Sequence, residues 1–157
     1  MSSKLIKASR LPSLLKTLKK KKKKIVFTNG CFDLVHPGHI KLFKESKKHG
    51  DILILGLNSD SSIRSLKGPE RPILNQKART EVLCRLDCID YIVIFSQPTP
   101  LNLIKKIKPD VLVKGDDWAK DKIVGAKLVE SAGGKIVRVK LKKGYSTTGL
   151  LKKLRTL

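Results

Sequence analysis

The stretch Ile25-Val26-Phe27-Thr28-Asn29-Gly30-Cys31-Phe32-Asp33-Leu34-Val35-His36-Pro37-Gly38-His39 decides the fold. It opens on a short apolar run, Ile25-Val26-Phe27, which reads as a buried strand of a parallel sheet. Gly30 permits a sharp turn out of that strand. Pro37 and Gly38 stand where the next helix should start, and proline suits a first helical turn. Strand, polar loop and helix start thus follow one another within fifteen residues.

The same alternation continues downstream. Apolar runs recur at Ile52-Leu53-Ile54-Leu55, Tyr91-Ile92-Val93-Ile94-Phe95, Val111-Leu112-Val113 and Ile136-Val137-Arg138-Val139. The spacing predicts helices near residues 39–49, 75–86, 99–107, 121–132 and 147–155. Pro109 and Gly133-Gly134 punctuate strand starts. Alternation of this kind implies βαβ units with right-handed crossovers, hence an α/β domain with a parallel sheet of about five strands flanked by helices. No internal repeat and no flexible linker interrupts it.

Upstream, Leu11, Leu14, Leu15 and Leu18 recur on one face of an amphipathic helix, and Pro12 suits its first turn. Lys19 to Lys24 then form a run of six lysines. These read as a solvated helix end, because cations favour the negative end of a helix dipole and no aromatic residue interleaves them to stack on bases. Residues 1–24 are therefore expected to form a basic N-terminal helix and lysine-rich segment, and residues 25–157 the main domain.

The bulk composition excludes some classes and leaves others open. The chain has 157 residues, 40% apolar and 31% charged, which suits one soluble globule. No apolar run approaches the roughly 20 residues of a membrane helix. The basic N-terminus lacks the apolar core of a signal peptide. The three cysteines, Cys31, Cys84 and Cys88, form no Cys-x-x-Cys pair, so reduced thiols and a cytoplasmic location are expected. Cys84 and Cys88 read as buried thiols spaced i, i+4 on a helix. The 35 basic and 13 acidic residues give a net charge of +22, with ten of the basic residues in positions 1–24. Such a field attracts nucleic acid, acidic membranes and phosphorylated small molecules alike.

In an open parallel sheet, ligands sit outside the carboxyl ends of the strands. That rule selects the loops after Phe27, Leu57, Phe95 and Val113. Three of them carry notable polar residues: Thr28-Asn29-Gly30, Asn58-Ser59-Asp60 and Lys114-Gly115-Asp116-Asp117. Neither of the common glycine-rich phosphate fingerprints is present. His36 and His39, three residues apart, can share one face of the helix start. Free backbone N–H groups there suit a phosphate, and two imidazoles can donate hydrogen bonds as charge grows on it. From the residues alone, helix-capping histidines or part of a metal site fit the pattern as well as phosphate chemistry does.

Gly30-Cys31-Phe32-Asp33-Leu34-Val35-His36-Pro37-Gly38-His39 resembles the G-x-F-D-x-x-H-x-G-H signature of the HIGH-type nucleotidylyltransferase superfamily. Across about residues 5–155 the chain is similar to the D-glycero-β-D-manno-heptose 1-phosphate adenylyltransferases. The matches include Leu57-Asn58-Ser59-Asp60, Leu66-Lys67-Gly68, Arg71-Pro72-Ile73, Thr99-Pro100, Pro109-Asp110-Val111-Leu112-Val113-Lys114-Gly115 and Tyr145-Ser146-Thr147-Thr148. The resemblance implies a Rossmann-like domain that transfers AMP from ATP, with Mg²⁺, to the sugar 1-phosphate. The products are ADP-heptose and pyrophosphate, for lipopolysaccharide core synthesis.

The resemblance also implies roles. His36 and His39 would contact the α- and β-phosphates, with Lys67 and Arg79 completing the catalytic set. Thr28, Asn29, Gly30, Phe32, Asp33, Gly38, Lys114, Gly115 and Asp116 would form the nucleotide pocket. Ser146, Thr147 and Thr148, at the start of the last helix, would hold the leaving pyrophosphate. Asp117 and Arg71 would face the acceptor. No protein side chain is assigned to the metal, and a homodimer is expected.

At Gly115-Asp116-Asp117-Trp118 the sequence departs towards the Gly-Asp-Asp-Trp of glycerol-3-phosphate cytidylyltransferases, which keeps a CTP-dependent enzyme as an alternative. Ile123-Val124-Gly125-Ala126-Lys127 and Glu130-Ser131-Ala132-Gly133-Gly134-Lys135 return to the heptose pattern. Trp118 reads as a packing residue. A basic nucleic-acid-binding module is the alternative of another class. The histidine element also resembles that of class I aminoacyl-tRNA synthetases, but 157 residues leave no room for a tRNA-reading domain, so nucleic acid is not an expected partner.

Overall fold

The computed structural model describes residues 4–157. Five strands form one sheet: β1 (Ile25–Gly30), β2 (Ile52–Asn58), β3 (Tyr91–Phe95), β4 (Val111–Gly115) and β5 (Lys135–Val139). Their spatial order is β3-β2-β1-β4-β5, and every pair is parallel. The order reverses between β1 and β4, so the crevice at their carboxyl ends is the switch point where ligands bind in such sheets.

Among the described residues seven α-helices connect and cover the sheet: α1 (Leu11–Lys20), α2 (Pro37–Lys47), α3 (Asp60–Lys67), α4 (Gln76–Cys84), α5 (Leu101–Ile107), α6 (Ala126–Ser131) and α7 (Thr147–Arg155). Alternate strand residues face opposite layers. Phe27, Ile54 and Leu112 pack with Leu11, Leu15 and Leu18 of α1 and with Leu103, Ile104 and Val129 of α5 and α6. Val26, Leu53, Leu55 and Val113 pack with Leu42 and Phe43 of α2 and Leu83 of α4. Each such side chain, when fully buried, contributes roughly 1.5–3 kcal/mol, so both layers are needed. The leucine face of α1 belongs to the same core as β1.

Two carboxylates register the strand starts. Asp110 accepts the Ile25 amide at 2.7 Å, tying β4 to β1. Asp90 accepts the Leu53 amide at 2.7 Å, tying the approach of β3 to β2. The outer edge of β3 is covered by the chain's own N-terminal segment. Ile6 N–H donates to the Ile92 carbonyl at 2.9 Å, and Ile92 N–H donates to that of Lys4 at 2.8 Å. A covered edge offers no template for aggregation.

Three local expectations change. Helix α3 occupies residues read as loop; Ser59 caps it by accepting the Ser62 amide at 3.2 Å. The helix expected over residues 121–132 is a 3₁₀ turn at Lys120–Lys122 followed by α6, because Gly125 sits at φ 83° between them. Helix α4 ends at Cys84, so Cys88 lies beyond it, half-buried in a turn, where burial raises its thiol pKa.

Candidate active site

A cavity of about 520 Å³ opens at the carboxyl ends of the strands. Asn29 and Gly30 of β1, Asn58 of β2 and Lys114 and Gly115 of β4 form its floor. Phe32, Asp33 and His39 come from the β1–α2 connection. Lys67 and Arg71 close one side, and Asp117, Trp118 and Thr147 the other.

The histidines follow from how α2 begins. His36 is its N-cap, and its Nδ1 accepts the Gly38 amide at 3.1 Å. A neutral His36 therefore carries its proton on Nε2. His39, one turn on, stacks on His36 with 3.7 Å between ring centroids and 22° between planes. Phe32 meets His39 edge-on at 5.1 Å. Phe32 holds φ 42°, a conformation that costs a bulky residue energy and tends to be retained at functional sites. Burial, then the His36 charge and to a lesser degree that of Lys67, push the His39 pKa down to about 4 against the opposing effect of the Leu34 backbone. His39 is thus neutral near pH 7. His39 lines the main cavity. His36 lines an adjoining concavity with Lys41, Lys44 and Lys142, so the stacked pair forms a wall between the two.

Asp33 organises the far side. It is buried and accepts Arg71 Nε at 2.7 Å, the Ile73 amide at 2.9 Å and the Leu74 amide at 2.9 Å. Burial raises its pKa, but the Leu74 and Ile73 amides and the Arg71 guanidinium outweigh that and hold the carboxyl below its ordinary value. The Arg71 terminal NH2 is enclosed and bonded to no protein atom. The Asn29 side-chain oxygen is likewise buried and unbonded, and both residues line the cavity.

Arg79 differs from its expected role. Its side chain is wholly buried and outside the cavity. Its guanidinium donates to the carbonyls of Leu74 at 3.0 Å, Cys31 at 2.7 Å and Asn58 at 2.8 Å, and to Asp60 at 2.8 Å. Arg79 therefore fastens the loops after β1 and β2 to α4, with no donor facing a substrate. Thr28 is also fully buried beneath the floor, off the cavity surface.

At the end of β4 neighbouring residues part ways. Lys114 donates to the Asn29 carbonyl at 2.9 Å and lies 5.5 Å from the Trp118 ring centroid. Burial lowers its pKa to about 8, against the opposing pull of Asp117 and Cys31. Asp116, expected in the nucleotide pocket, turns away instead. Its carboxylate accepts the Leu141 amide at 3.1 Å and its carbonyl accepts Arg138 at 2.8 Å. Asp117 lines the cavity. So does Trp118, which is 47% exposed and is not the packing residue that the sequence suggested.

Helix α7 begins beside the cavity. Ser146 caps it, its Oγ accepting the Gly149 amide at 2.9 Å. Thr147 lines the cavity; Ser146 and Thr148 do not. Gly38 sits against the His36 ring rather than on the cavity surface. Residues that sequence reasoning left out of the site include Cys31, Asn58 and Thr99. The last two lie on strand-end loops the sheet rule had already selected.

Among the described residues no cluster of three metal-ligating side chains exists. Two carboxylates face the cavity, and Asp33 is committed to Arg71 and the backbone, leaving Asp117. A hard cation needs about six oxygens. This donor set fits a divalent ion arriving on nucleotide phosphates, held by them with help from Asp117, where it would neutralise phosphate charge.

The fold and this cleft give a doubly wound α/β domain with a ligand crevice at the switch point of its sheet. The chain belongs to the cytidylyltransferase-like family, whose model matches residues 27–152. It is 47% identical over 146 residues to the bifunctional protein HldE of Geotalea uraniireducens strain Rf4, covering 93% of this chain and 30% of that protein. Identity to the bifunctional protein HldE of Geobacter metallireducens is 50% over 144 residues, covering 92% and 29%. The chain thus spans under a third of the length of these curated relatives. Among solved structures, a lipopolysaccharide core biosynthesis protein from Thermoplasma volcanium is 30% identical with a TM-score of 0.65, covering 77% of this chain and 99% of that one. A pantoate-beta-alanine ligase from Francisella tularensis, 19% identical with a TM-score of 0.62, shares the fold. No helix among the described residues is long and apolar enough to cross a membrane.

Proposed function

We propose that this domain transfers AMP from ATP to D-glycero-β-D-manno-heptose 1-phosphate, forming ADP-heptose and pyrophosphate. A phosphate oxygen of the sugar 1-phosphate attacks the α-phosphorus of ATP in line. The bond to the β-phosphate oxygen breaks, and pyrophosphate leaves. No covalent enzyme intermediate is needed, so catalysis rests on positioning and charge stabilisation. The observation that carries this reading is the stacked histidine pair at the α2 start beside a cationic cleft. Nearly 50% identity to the HldE proteins, and the likeness to a lipopolysaccharide core biosynthesis protein, support the heptose acceptor.

In this reading His36 donates from Nε2 and His39 lies on the path of the α-phosphate. Lys67, Lys114 and the free Arg71 NH2 balance phosphate charge, and the start of α7 at Ser146-Thr147-Thr148 receives the pyrophosphate. Asn29, Gly30 and Phe32 shape the nucleotide pocket, and Asp117 faces the acceptor. The Mg²⁺ salt of ATP is the substrate form, the protein works in the cytoplasm, and the expected homodimer belongs to the same proposal. Incubation with ATP, Mg²⁺ and the heptose 1-phosphate should yield ADP-heptose by mass spectrometry. Absence of that product would overturn the assignment.

A further inference from the structure

The opposite end of the sheet carries a second cavity, of about 430 Å³, lined by Lys19, Lys22, Lys23, Lys24, Lys108 and Lys135. It lies at the amino-terminal ends of β1 and β5, remote from the histidines at the carboxyl ends. None of these six lysines forms an ion pair among the described residues. Asp110, the acid in the lining, is already bonded to the Ile25 amide.

The plain explanation is that lysines offset helix dipoles. Helices α1 and α5 end here at Lys20 and Ile107, and Gly133 of the lining follows α6. Each helix end carries at most about half a negative charge. Together they offset about 1.5 of the net five positive charges in the lining. Roughly three and a half remain, far more than dipole compensation explains.

The backbone points the same way. Three non-glycine residues hold a positive φ among the described residues: Lys22 at 50°, Phe32 at 42° and Lys108 at 49°. Phe32 lies in the candidate active site. Lys22 and Lys108 both line the basic cavity, just past the ends of α1 and α5. Glycine is the usual residue at such helix ends. Two of the three strained non-glycine positions thus meet at one cavity, the kind of clustering found at ligand sites.

We propose that this cavity is a second anion site that takes a compact oligophosphate. Its surplus charge matches an anion of about −3 to −4, and its volume suits a phosphate chain. No aromatic residue lines it to stack a base, so it reads phosphate charge and not nucleobase.

The test is calorimetric titration of the full chain with inorganic tripolyphosphate in the absence of divalent metal, on wild type and on Lys22→Gly/Lys108→Gly/Lys135→Gln. The glycines remove charge where glycine is the favoured residue, so the variant should fold at least as stably as wild type without ligand. The variant is expected to lose one bound tripolyphosphate per chain, or to bind it at least about tenfold more weakly, with turnover at the histidine site unchanged. Equal number and affinity of bound tripolyphosphate in both proteins overturns the proposal. Tighter binding of a single-stranded oligonucleotide than of tripolyphosphate, lost with the same lysines, also overturns it in favour of nucleic acid.

Discussion

The imidazole of His36 lies stacked on that of His39 at 3.7 Å, and the Gly38 amide pins His36 through Nδ1. The pair is thus set by the first turn of α2, where a phosphate also meets free amides. Charging one ring disfavours charging the other, so the pair enters the reaction with His39 neutral. If His39 acts mainly on the transition state, His39→Ala should lower kcat by about 10²–10³. Nucleotide affinity should change only a few-fold. Unchanged kcat with a raised KM would assign His39 to ground-state binding instead.

Gly38 sets the spacing of that pair. A Cβ added there would lie 2.9 Å from His36 Cε1 and 3.0 Å from its Nδ1. Gly38→Ala should therefore push the ring off His39 while leaving the helix intact. We expect kcat to fall by about tenfold or more with little change in Tm. Full activity in this variant would show that the stacking is dispensable.

Stability should depend on pH through the same histidine. Its pKa is 6.5 unfolded and about 4 folded. The folded state refuses a proton that the unfolded state accepts, so stability is complete above pH 6.5 and declines as pH falls towards 4. The loss is up to about 3 kcal/mol. Asp33, whose carboxyl is held below its ordinary value, acts in the same direction. Its contribution disappears as pH falls through its folded pKa. Urea midpoints at pH 7 and pH 4.5 should therefore differ less in His39→Phe than in wild type. An equal pH effect in both would exclude His39 as a source.

Arg79 is a structural prediction. Its fork reaches three carbonyls and Asp60 from a fully buried position. Lysine keeps the charge but cannot reproduce the planar set of donors. Arg79→Lys should cost on the order of 3 kcal/mol in chemical denaturation. It should also loosen the Cys31 and Asn58 loops, raising KM for both substrates. A variant as stable as wild type would refute this bracing role.

Much of the fold was legible because the strands are continuous apolar runs and the loops between them are polar. Helix α3 was missed because its eight residues include three serines and only two apolar positions, Ile63 and Leu66, so its periodicity is faint. Its signal was the cap at Ser59. The strand-end rule found the loops of the cleft, yet it could not tell Asp117 from Asp116. Asp117 lines the cavity, whereas the Asp116 carboxylate is taken up by the Leu141 amide. The resemblance alone gave Arg79 a catalytic role; its bracing partners at Cys31 and Asn58 are carbonyls, which carry no sequence signature. The six-lysine run is exposed throughout, as a solvated helix end implies; what its sequence does not show is the convergence with Lys108 and Lys135, more than 80 residues away in the chain.

Steady-state kcat/KM over four combinations decides the pairing of nucleotide and acceptor. ATP and CTP are each offered with heptose 1-phosphate and with glycerol 3-phosphate, in the presence of Mg²⁺, and pyrophosphate release is followed. ATP with heptose 1-phosphate is expected to exceed every other pairing by about 10²-fold or more. Preference for CTP with glycerol 3-phosphate would contradict it and assign Asp117 and Trp118 to the other acceptor.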